Sequence, residues 1–477
     1  MRKQTTAFLA VAVVSGLMFV YQGLKARERS RRKREMLDEY VNKGFVCMRD
    51  KMYGEAIVCY LRCLELLERK DNAAVSVYNN LAMCFVRIKA YNEALVYANK
   101  SLGLNVLNNE RALRLKYECH KVLGMKRQAL YDVFVCGLVT KEERYRKQAQ
   151  EMLRNEADVE VKRRMGSFEG RVSRIVYEGL FSTFPDLFGS GSLVSDEVIE
   201  LVRKGRYEDA IAMAEDRSDP LSKFVAALAK YAEGKDAAAI SLLEEEKMIY
   251  SVGLREYLKA VHGRVPMDID DFVSQNSRSV GVLFYAAKTY LHMKDNERYE
   301  RLISQAMCVC DYDFLYVDRI VYEVGRGRNE AAGSAVEEGL RRHCSSILIL
   351  TIGCEFYLKN EDFEKTADIL TEMESSHGAD PRTFLLKGVV LQAQGRIDEA
   401  EKSFRTAIQL DERYFKPYVY LGGVLLSRND KNSKAVYEAG LRYAVRYEEM
   451  LVVQQALILI EAQENVMQMY PEVKEVT

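Results

Sequence analysis

Proline is scarce in this chain of 477 residues, with six in all and the first at Pro185. Because proline costs about 3 kcal/mol inside a helix, a chain that avoids it favours helical structure. Tryptophan is absent, and apolar residues still make up 48%, which excludes a disordered chain. Lys plus Arg and Asp plus Glu each number 70, so the net charge is zero. This balance argues against binding through bulk positive charge, and we expect no nucleic-acid partner.

The sequence also lacks the residue patterns of metal sites and of catalysis. None of its five histidines lies four residues from another, and Cys308 with Cys310 forms a CxC that no second cysteine pair accompanies. Asp268, Asp270 and Asp271 lack the glycine and the terminal glutamate of a calcium loop. We therefore expect no catalytic residues, no metal, no cofactor and no enzymatic activity.

The N-terminus carries an uncharged run over residues 4–24, followed by a basic collar over residues 25–36. A helix of this length spans about 31 Å, close to the roughly 30 Å hydrocarbon core of a bilayer. Residues 1–35 hold nine Lys or Arg against two Asp or Glu, a net charge of +7. We predict a membrane anchor over residues 1–24 that contacts lipid through residues 4–24, with the C-terminal bulk in the cytosol. A cleaved signal peptide and a buried soluble helix are the alternatives.

A short motif recurs along the rest of the chain: an aromatic or aliphatic residue, two variable residues, and then alanine. Clear instances begin at Tyr53, Tyr91, Tyr207 and Ile397. The last five motif centres are 33, 34, 34 and 35 residues apart, and they are Tyr299, Ala332, Thr366, Ala400 and Ala435. A period near 34 residues is typical of the tetratricopeptide helix-turn-helix repeat. We predict an all-α superhelical solenoid of such repeats with an N-terminal transmembrane helix.

Small residues provide a second test of the repeat, because its two helices cross closely twelve residues before each centre. Small residues occupy this position in most repeats, as Gly44, Ala82, Ala227, Ala287, Cys354, Gly388 and Gly423. The repeats centred on Ala210 and Ala239 match the pattern less well.

One break interrupts the repeats, where glycine, serine and Pro185 cluster over residues 184–192. Such clusters are typical of connecting segments, and we predict a linker over residues 165–193. It would separate an N-terminal domain of three repeats (37–164) from a C-terminal array (194–477).

The order of anchor, collar, three repeats, linker and longer array resembles the family of seventy-kilodalton receptors of the mitochondrial outer-membrane protein translocase. The likeness is clearest along residues 78–85 and 121–132, which read YNNLAMCF and KVLGMKRQALYD. It implies a single-pass protein of the mitochondrial outer membrane with its N-terminus in the intermembrane space. The implied partners are mitochondrial preproteins, bound by the C-terminal array, the pore subunits of the translocase, and Hsp70 or Hsp90 tails, docked on the N-terminal repeats.

The resemblance places a carboxylate clamp for the chaperone tails on the first helices of the N-terminal repeats. Asn80 keeps one clamp position, and Arg111 replaces a lysine conservatively. Apolar residues occupy three clamp positions, as Val41, Phe45 and Leu115, although Lys116 lies beside the last. Each lost contact to a charged tail should cost about 1.5–3 kcal/mol, so we hypothesise that the dock is weakened or replaced.

The C-terminal array is rich in aromatic residues, which at helical spacing are expected to pack between repeats or to line a pocket for apolar cargo. They include Tyr285, Tyr290, Phe356, Tyr357, Phe384, Tyr418 and Tyr420. The main alternative to a preprotein receptor is a membrane-tethered co-chaperone or assembly scaffold on another membrane. A secreted repeat protein is a further alternative, and it requires cleavage near Gly23.

Overall fold

The computed structural model describes residues 2–67, 73–165, 172–189, 196–264 and 267–472, with side chains for Lys25 and from Arg27 onward. All regular structure within these ranges is helical. The chain divides into two compact units. Unit 1 comprises residues 1–160 and 458–477, and unit 2 comprises residues 161–457.

Unit 1 consists of three antiparallel helix pairs, with a longer helix after them and the end of the last helix of the chain. Its helices are α1 (Arg2–Arg49), α2 (Tyr53–Leu66), α3 (Ala73–Arg87), α4 (Tyr91–Leu102), α5 (Glu110–Val122), α6 (Lys126–Thr140) and α7 (Glu143–Met165). The chain leaves this unit within α7, which continues into unit 2.

Unit 2 continues the pattern of helix pairs, and α26 leaves it at residue 457. Its helices are α8 (Arg174–Ser182), α9 (Pro185–Phe188), α10 (Glu197–Arg203), α11 (Tyr207–Glu215), α12 (Pro220–Ala232), α13 (Asp236–Leu243), α14 (Ile249–Val261), α15 (Ile269–Gln275), α16 (Val280–His292), α17 (Asn296–Val309), α18 (Asp313–Gly325), α19 (Asn329–Arg342), α20 (Ile347–Lys359), α21 (Phe363–Ser376), α22 (Pro381–Ala393), α23 (Ile397–Leu410), α24 (Phe415–Ser427), α25 (Asn432–Leu441) and α26 (Tyr447–Met469).

The recurring motif marks the start of the second helix in each pair. Tyr53, Tyr91, Tyr207 and Ile397 are the first residues of α2, α4, α11 and α23. The small residues predicted before them lie at the helix crossings: a Cβ on Gly44 would stand 2.9 Å from the Tyr60 ring, and one on Gly388 would overlap Phe404. The helix-pair repeat predicted from the sequence is therefore confirmed.

The last repeat differs from its predicted phase. Ala435 is exposed, whereas Ser433 and Tyr437 on the same helix are buried. The close approach lies at Gly422, where a Cβ would stand 2.7 Å from the Tyr437 ring, while Gly423 is near only its hydroxyl, at 3.7 Å. Burial of a tyrosine rather than an alanine motif sets the register of this pair.

The predicted linker over residues 165–193 is wrong for residues 172–189. These residues form α8 and α9, and Tyr177, Phe181 and Phe184 are buried in the core of unit 2. The Phe184 ring meets Phe224 edge-on at 4.9 Å. Pro185 opens α9 at a position where helices tolerate proline, so it does not break the structure. The remaining linker residues, 166–171 and 190–193, lie outside the described residues.

The predicted domain boundaries also change, because the end of the chain belongs to unit 1 rather than to the C-terminal array. Glu461 accepts hydrogen bonds from Arg127 Nη1 at 2.7 Å and from Tyr131 Oη at 2.8 Å. The N-terminal repeats are thus completed by residues that follow them by more than three hundred positions.

Where the structure describes side chains, no helix is both long and apolar enough to cross a membrane. The anchor predicted over residues 1–24 lies outside the part of the chain whose side chains the structure describes.

Candidate functional site

The predicted clamp residues of unit 1 lie on neighbouring first helices, α3 and α5. Asn80 is half-buried and Arg111 is exposed. Burial raises the pKa of Tyr60 to about 12. The Arg111 guanidinium lies close enough to Tyr60 to reduce this rise in part. Because Asn80 and Arg111 both reach the surface, they are accessible to a polar ligand.

The apolar clamp positions differ in their exposure. The Phe45 side chain is 64% exposed, and Val41 is partly buried against the core of the first repeat. Leu115 is 2% exposed and packs with Ala82 and Ala98. Unit 1 thus presents a phenyl ring where the clamp of the resembled family has an amide, which disfavours a carboxylate there.

Lys116 does not share the surface of Asn80 and Arg111, because it is buried on the side of α5 that faces α6. Its Nζ donates to Tyr470 Oη at 2.9 Å and lies 3.5 Å from Asp132 Oδ1. His120 Nδ1 lies 2.6 Å from the other Asp132 oxygen. Burial lowers the pKa of Lys116, but the Asp132 carboxylate and Tyr470 outweigh it and leave the pKa raised. Lys116 thus joins helices within unit 1 and offers no ammonium to a chaperone tail.

A polar network that the sequence analysis missed holds the second and third repeats of unit 1 together. Asn79 Nδ2 donates to Asn109 Oδ1 at 2.8 Å, and Ser101 Oγ donates to Asn79 Oδ1 at 2.7 Å. Asn109 also caps α5. Buried amides that hydrogen-bond to one another hold α3 at one rotation about its axis. Asn80 follows Asn79 and lies about 100° around the helix from it, so this network also sets the direction of Asn80.

Unit 2 contains a cavity of about 320 Å³ among the first helices of its array. The α8 side chains Ile175 and Val176 form one wall, and apolar residues of α18 and α20 form another, as Val317, Leu348 and Ile352. Cavities of this size and lining are typical of sites for apolar ligands.

The charged residues around this cavity are largely paired. Lys416 Nζ lies 3.1 Å from Glu355 Oε1, and Arg413 pairs with Glu208. Arg382, 4% exposed, donates through Nε and Nη2 to Asp380 at 2.9 and 2.7 Å and through Nη2 to Glu178 on α8 at 3.0 Å. Its Nη1 and the hydroxyl of Thr351 are buried and have no hydrogen-bond partner among the described residues.

A second cavity, of about 240 Å³, shares Val176, Ala232 and Arg446 with the first. Aromatic side chains line it, including Tyr257 and Tyr285, and burial raises the pKa of both phenols. Arg446 lies 5.3 Å from the ring centroid of Tyr231, which also lines this cavity.

The aromatic residues named from the sequence mostly pack in the core, as the helical spacing predicts. Five are buried, namely Tyr285, Tyr290, Phe356, Tyr357 and Tyr418, while Phe384 is half-buried and Tyr420 is 39% exposed. Only Tyr285 lines either of the two cavities described. No spacing in the sequence marks Arg382, because its hydrogen bond to Glu178 joins residues that are 204 positions apart.

Comparisons with known proteins agree with the helix-pair architecture. A model of the tetratricopeptide repeat matches residues 37–104, and a second matches residues 381–414. These two segments are tetratricopeptide repeats.

One solved structure resembles the helical fold over most of the chain. The crystal structure of the yeast Tom70 is 16% identical and covers 93% of this chain and 99% of its own, with a TM-score of 0.50. The Cut9–Hcn1 complex of the APC/C is 12% identical and covers 92% of this chain and 93% of its own, with a TM-score of 0.34. No curated protein sequence matches the chain. At 16% identity, the likeness to Tom70 shows the fold alone.

Proposed function

We propose that this protein is a receptor of the mitochondrial outer membrane that binds preproteins with internal targeting signals, such as hydrophobic carriers, and passes them to the import pore. The apolar cavity within the repeats of unit 2 is the observation that carries the proposal. The Tom70-like fold and the basic collar after residues 1–24 support it. We propose that it acts by binding alone, without catalysis.

Binding of the full chain to a carrier-type preprotein, compared with a matrix protein that has a cleavable presequence, tests the receptor role. We expect the carrier to bind more tightly. Equal binding of the two, or binding of neither, would contradict the proposal.

The proposed location is tested by fusing residues 1–36 to a fluorescent protein. We expect mitochondrial staining, because this fragment contains the proposed anchor and its basic collar. Reticular staining would favour the alternative, a tethered scaffold on another membrane.

We also propose that docking of chaperone tails on unit 1 is weakened, since Phe45 and Leu115 cannot bind carboxylates. Calorimetric titration with a chaperone-tail peptide should give binding weaker than about 10 μM, which corresponds to roughly −7 kcal/mol. Val41→Lys combined with Phe45→Asn should tighten it, because these changes restore the lysine and the asparagine that the resembled clamp has at the two positions. Tight binding by the unaltered protein would contradict a weakened dock.

A further inference from the structure

The first helix joins the predicted anchor to the first repeat without a break. α1 runs from Arg2 to Arg49, so the basic collar over residues 25–36 is helical throughout. The collar holds seven Lys or Arg and two Glu, a net charge of +5, and its described side chains are exposed. It lies directly after the uncharged run over residues 4–24. The helix therefore holds this charge at a fixed distance from the end of that run.

The cations of the collar differ in whether the chain itself neutralises them. Arg31 Nε lies 2.9 Å from Glu35 Oε1, and Arg32 Nη2 lies 2.6 Å from Glu28 Oε1. Where the structure describes side chains, four further cations of the collar form no ion pair, namely Arg27, Arg29, Lys33 and Arg34. The collar therefore has positive side chains that a negatively charged ligand can neutralise.

The unpaired cations lie on opposite sides of α1. At about 100° per residue, Arg27 and Arg29 are about 160° apart around the helix axis, and Lys33 and Arg34 lie near Arg29 and Arg27 respectively. A partner protein would contact one face, whereas lipid headgroups surround a helix that crosses a bilayer. The collar also lacks the apolar face on which a helix lies flat in a membrane surface. This arrangement favours headgroups over an acidic protein.

The distance along the helix brings two of these cations to the depth of the headgroups. With a rise of about 1.5 Å per residue, Arg27 and Arg29 lie about 5 and 8 Å beyond residue 24. The headgroup layer is roughly 5–8 Å thick on each side of the hydrocarbon core. Lys33 and Arg34 lie about 14–15 Å beyond residue 24, so salt screens their attraction to the headgroups more strongly.

We propose that Arg27 and Arg29 form a binding site for the phosphate groups of anionic phospholipids. A guanidinium donates two parallel hydrogen bonds to phosphate oxygens. The net negative charge of an anionic headgroup adds an attraction that phosphatidylcholine lacks. This inference rests on the membrane location proposed above and names the class of lipid that the protein selects there.

The test is electron paramagnetic resonance of the full chain in phosphatidylcholine vesicles, which compares the binding of spin-labelled phosphatidylserine and spin-labelled phosphatidylcholine to the protein. We expect phosphatidylserine to be preferred at least about threefold. Salt at about 0.5 M should reduce this preference, because it shortens the Debye length to roughly 4 Å.

Arg27→Gln combined with Arg29→Gln should lower the preference toward equal binding of the two lipids. Arg31→Gln combined with Arg32→Gln is the matched control, because it removes the same charge from guanidiniums that Glu35 and Glu28 already neutralise. We expect this control to keep most of the preference.

Equal binding of the two lipids by the inserted, unaltered chain would overturn the inference and favour an acidic protein partner, while the proposed location would stand. Equal losses in the two double variants would also overturn it, because bulk charge would then determine the preference. A chain that does not insert into the vesicles would refute both the location and this inference.

Discussion

A small residue at the helix crossing allows the two helices of a repeat to pack closely, and Gly388 is one of the glycines in this position. Gly388 on α22 faces Phe404 on α23, and Phe404 is fully buried, so the ring cannot move aside. We predict that Gly388→Ala lowers the free energy of unfolding by about 1–3 kcal/mol, the usual cost of overpacking. Urea denaturation followed by circular dichroism measures this.

The matched control is Gly333→Ala on α19. A Cβ there would lie 3.6 Å from Phe356, an ordinary contact, and alanine favours the helix by roughly 0.5–1 kcal/mol. Equal destabilisation by both substitutions would mean that crossing distance does not determine the effect.

The ten cysteines allow a second residue-scale prediction, since the thiolate is the reactive form. Burial raises the pKa of Cys63 and Cys119 to about 11 and that of Cys136 and Cys354 to about 12. We expect a thiol reagent at neutral pH to label the exposed Cys308 and Cys344 first, as counted by intact mass. Rapid labelling of Cys136 in the folded protein would contradict its burial.

Except in the last repeat, where the phase differs, sequence spacing predicts the positions of residues whose contacts lie within their own repeat. The small residues are of this kind, since helix crossing fixes them locally. Lys116 fails because its surroundings come from Tyr470, which is 354 positions away in the chain. A basic residue beside a clamp position is indistinguishable in sequence from one that a distant helix covers.

At the scale of elements, the buried ion cluster around Asp132 joins α5, α6 and the C-terminal segment. We predict that Asp132→Asn destabilises the protein by about 3–5 kcal/mol, because it leaves Lys116 as a buried charge without its carboxylate. Asp311→Asn serves as the control: Asp311 is exposed and pairs with Arg342 at 3.0 Å, so its loss should cost at most about 1 kcal/mol. Thermal unfolding of both variants measures the difference, and equal shifts would rule out a special role for the buried cluster.

The short helices α8 and α9 show where element prediction reaches its limit. Glycine and Pro185 mark breaks when only local propensity is considered, yet Phe181 stacks on Tyr207 at 5.6 Å and Phe184 stacks on Tyr285 at 4.8 Å. Tertiary burial of these rings outweighs weak local propensity. One wall of the 320 Å³ cavity in unit 2 therefore lies in the segment where the sequence signal was weakest.

At the scale of the whole molecule, unit 1 is discontinuous in sequence, and this has a measurable consequence. A fragment of residues 37–160 lacks Glu461 and Tyr470, which otherwise bind Arg127, Tyr131 and Lys116. We expect the fragment to unfold more readily than unit 1 does in the full chain. A synthetic peptide of residues 458–472, added in trans, should bind it and raise its melting temperature, because ligands of the folded state stabilise by mass action. The same peptide with Glu461→Ala and Tyr470→Phe should stabilise the fragment less. If neither peptide raises the melting temperature, the C-terminal segment is not part of the folding unit.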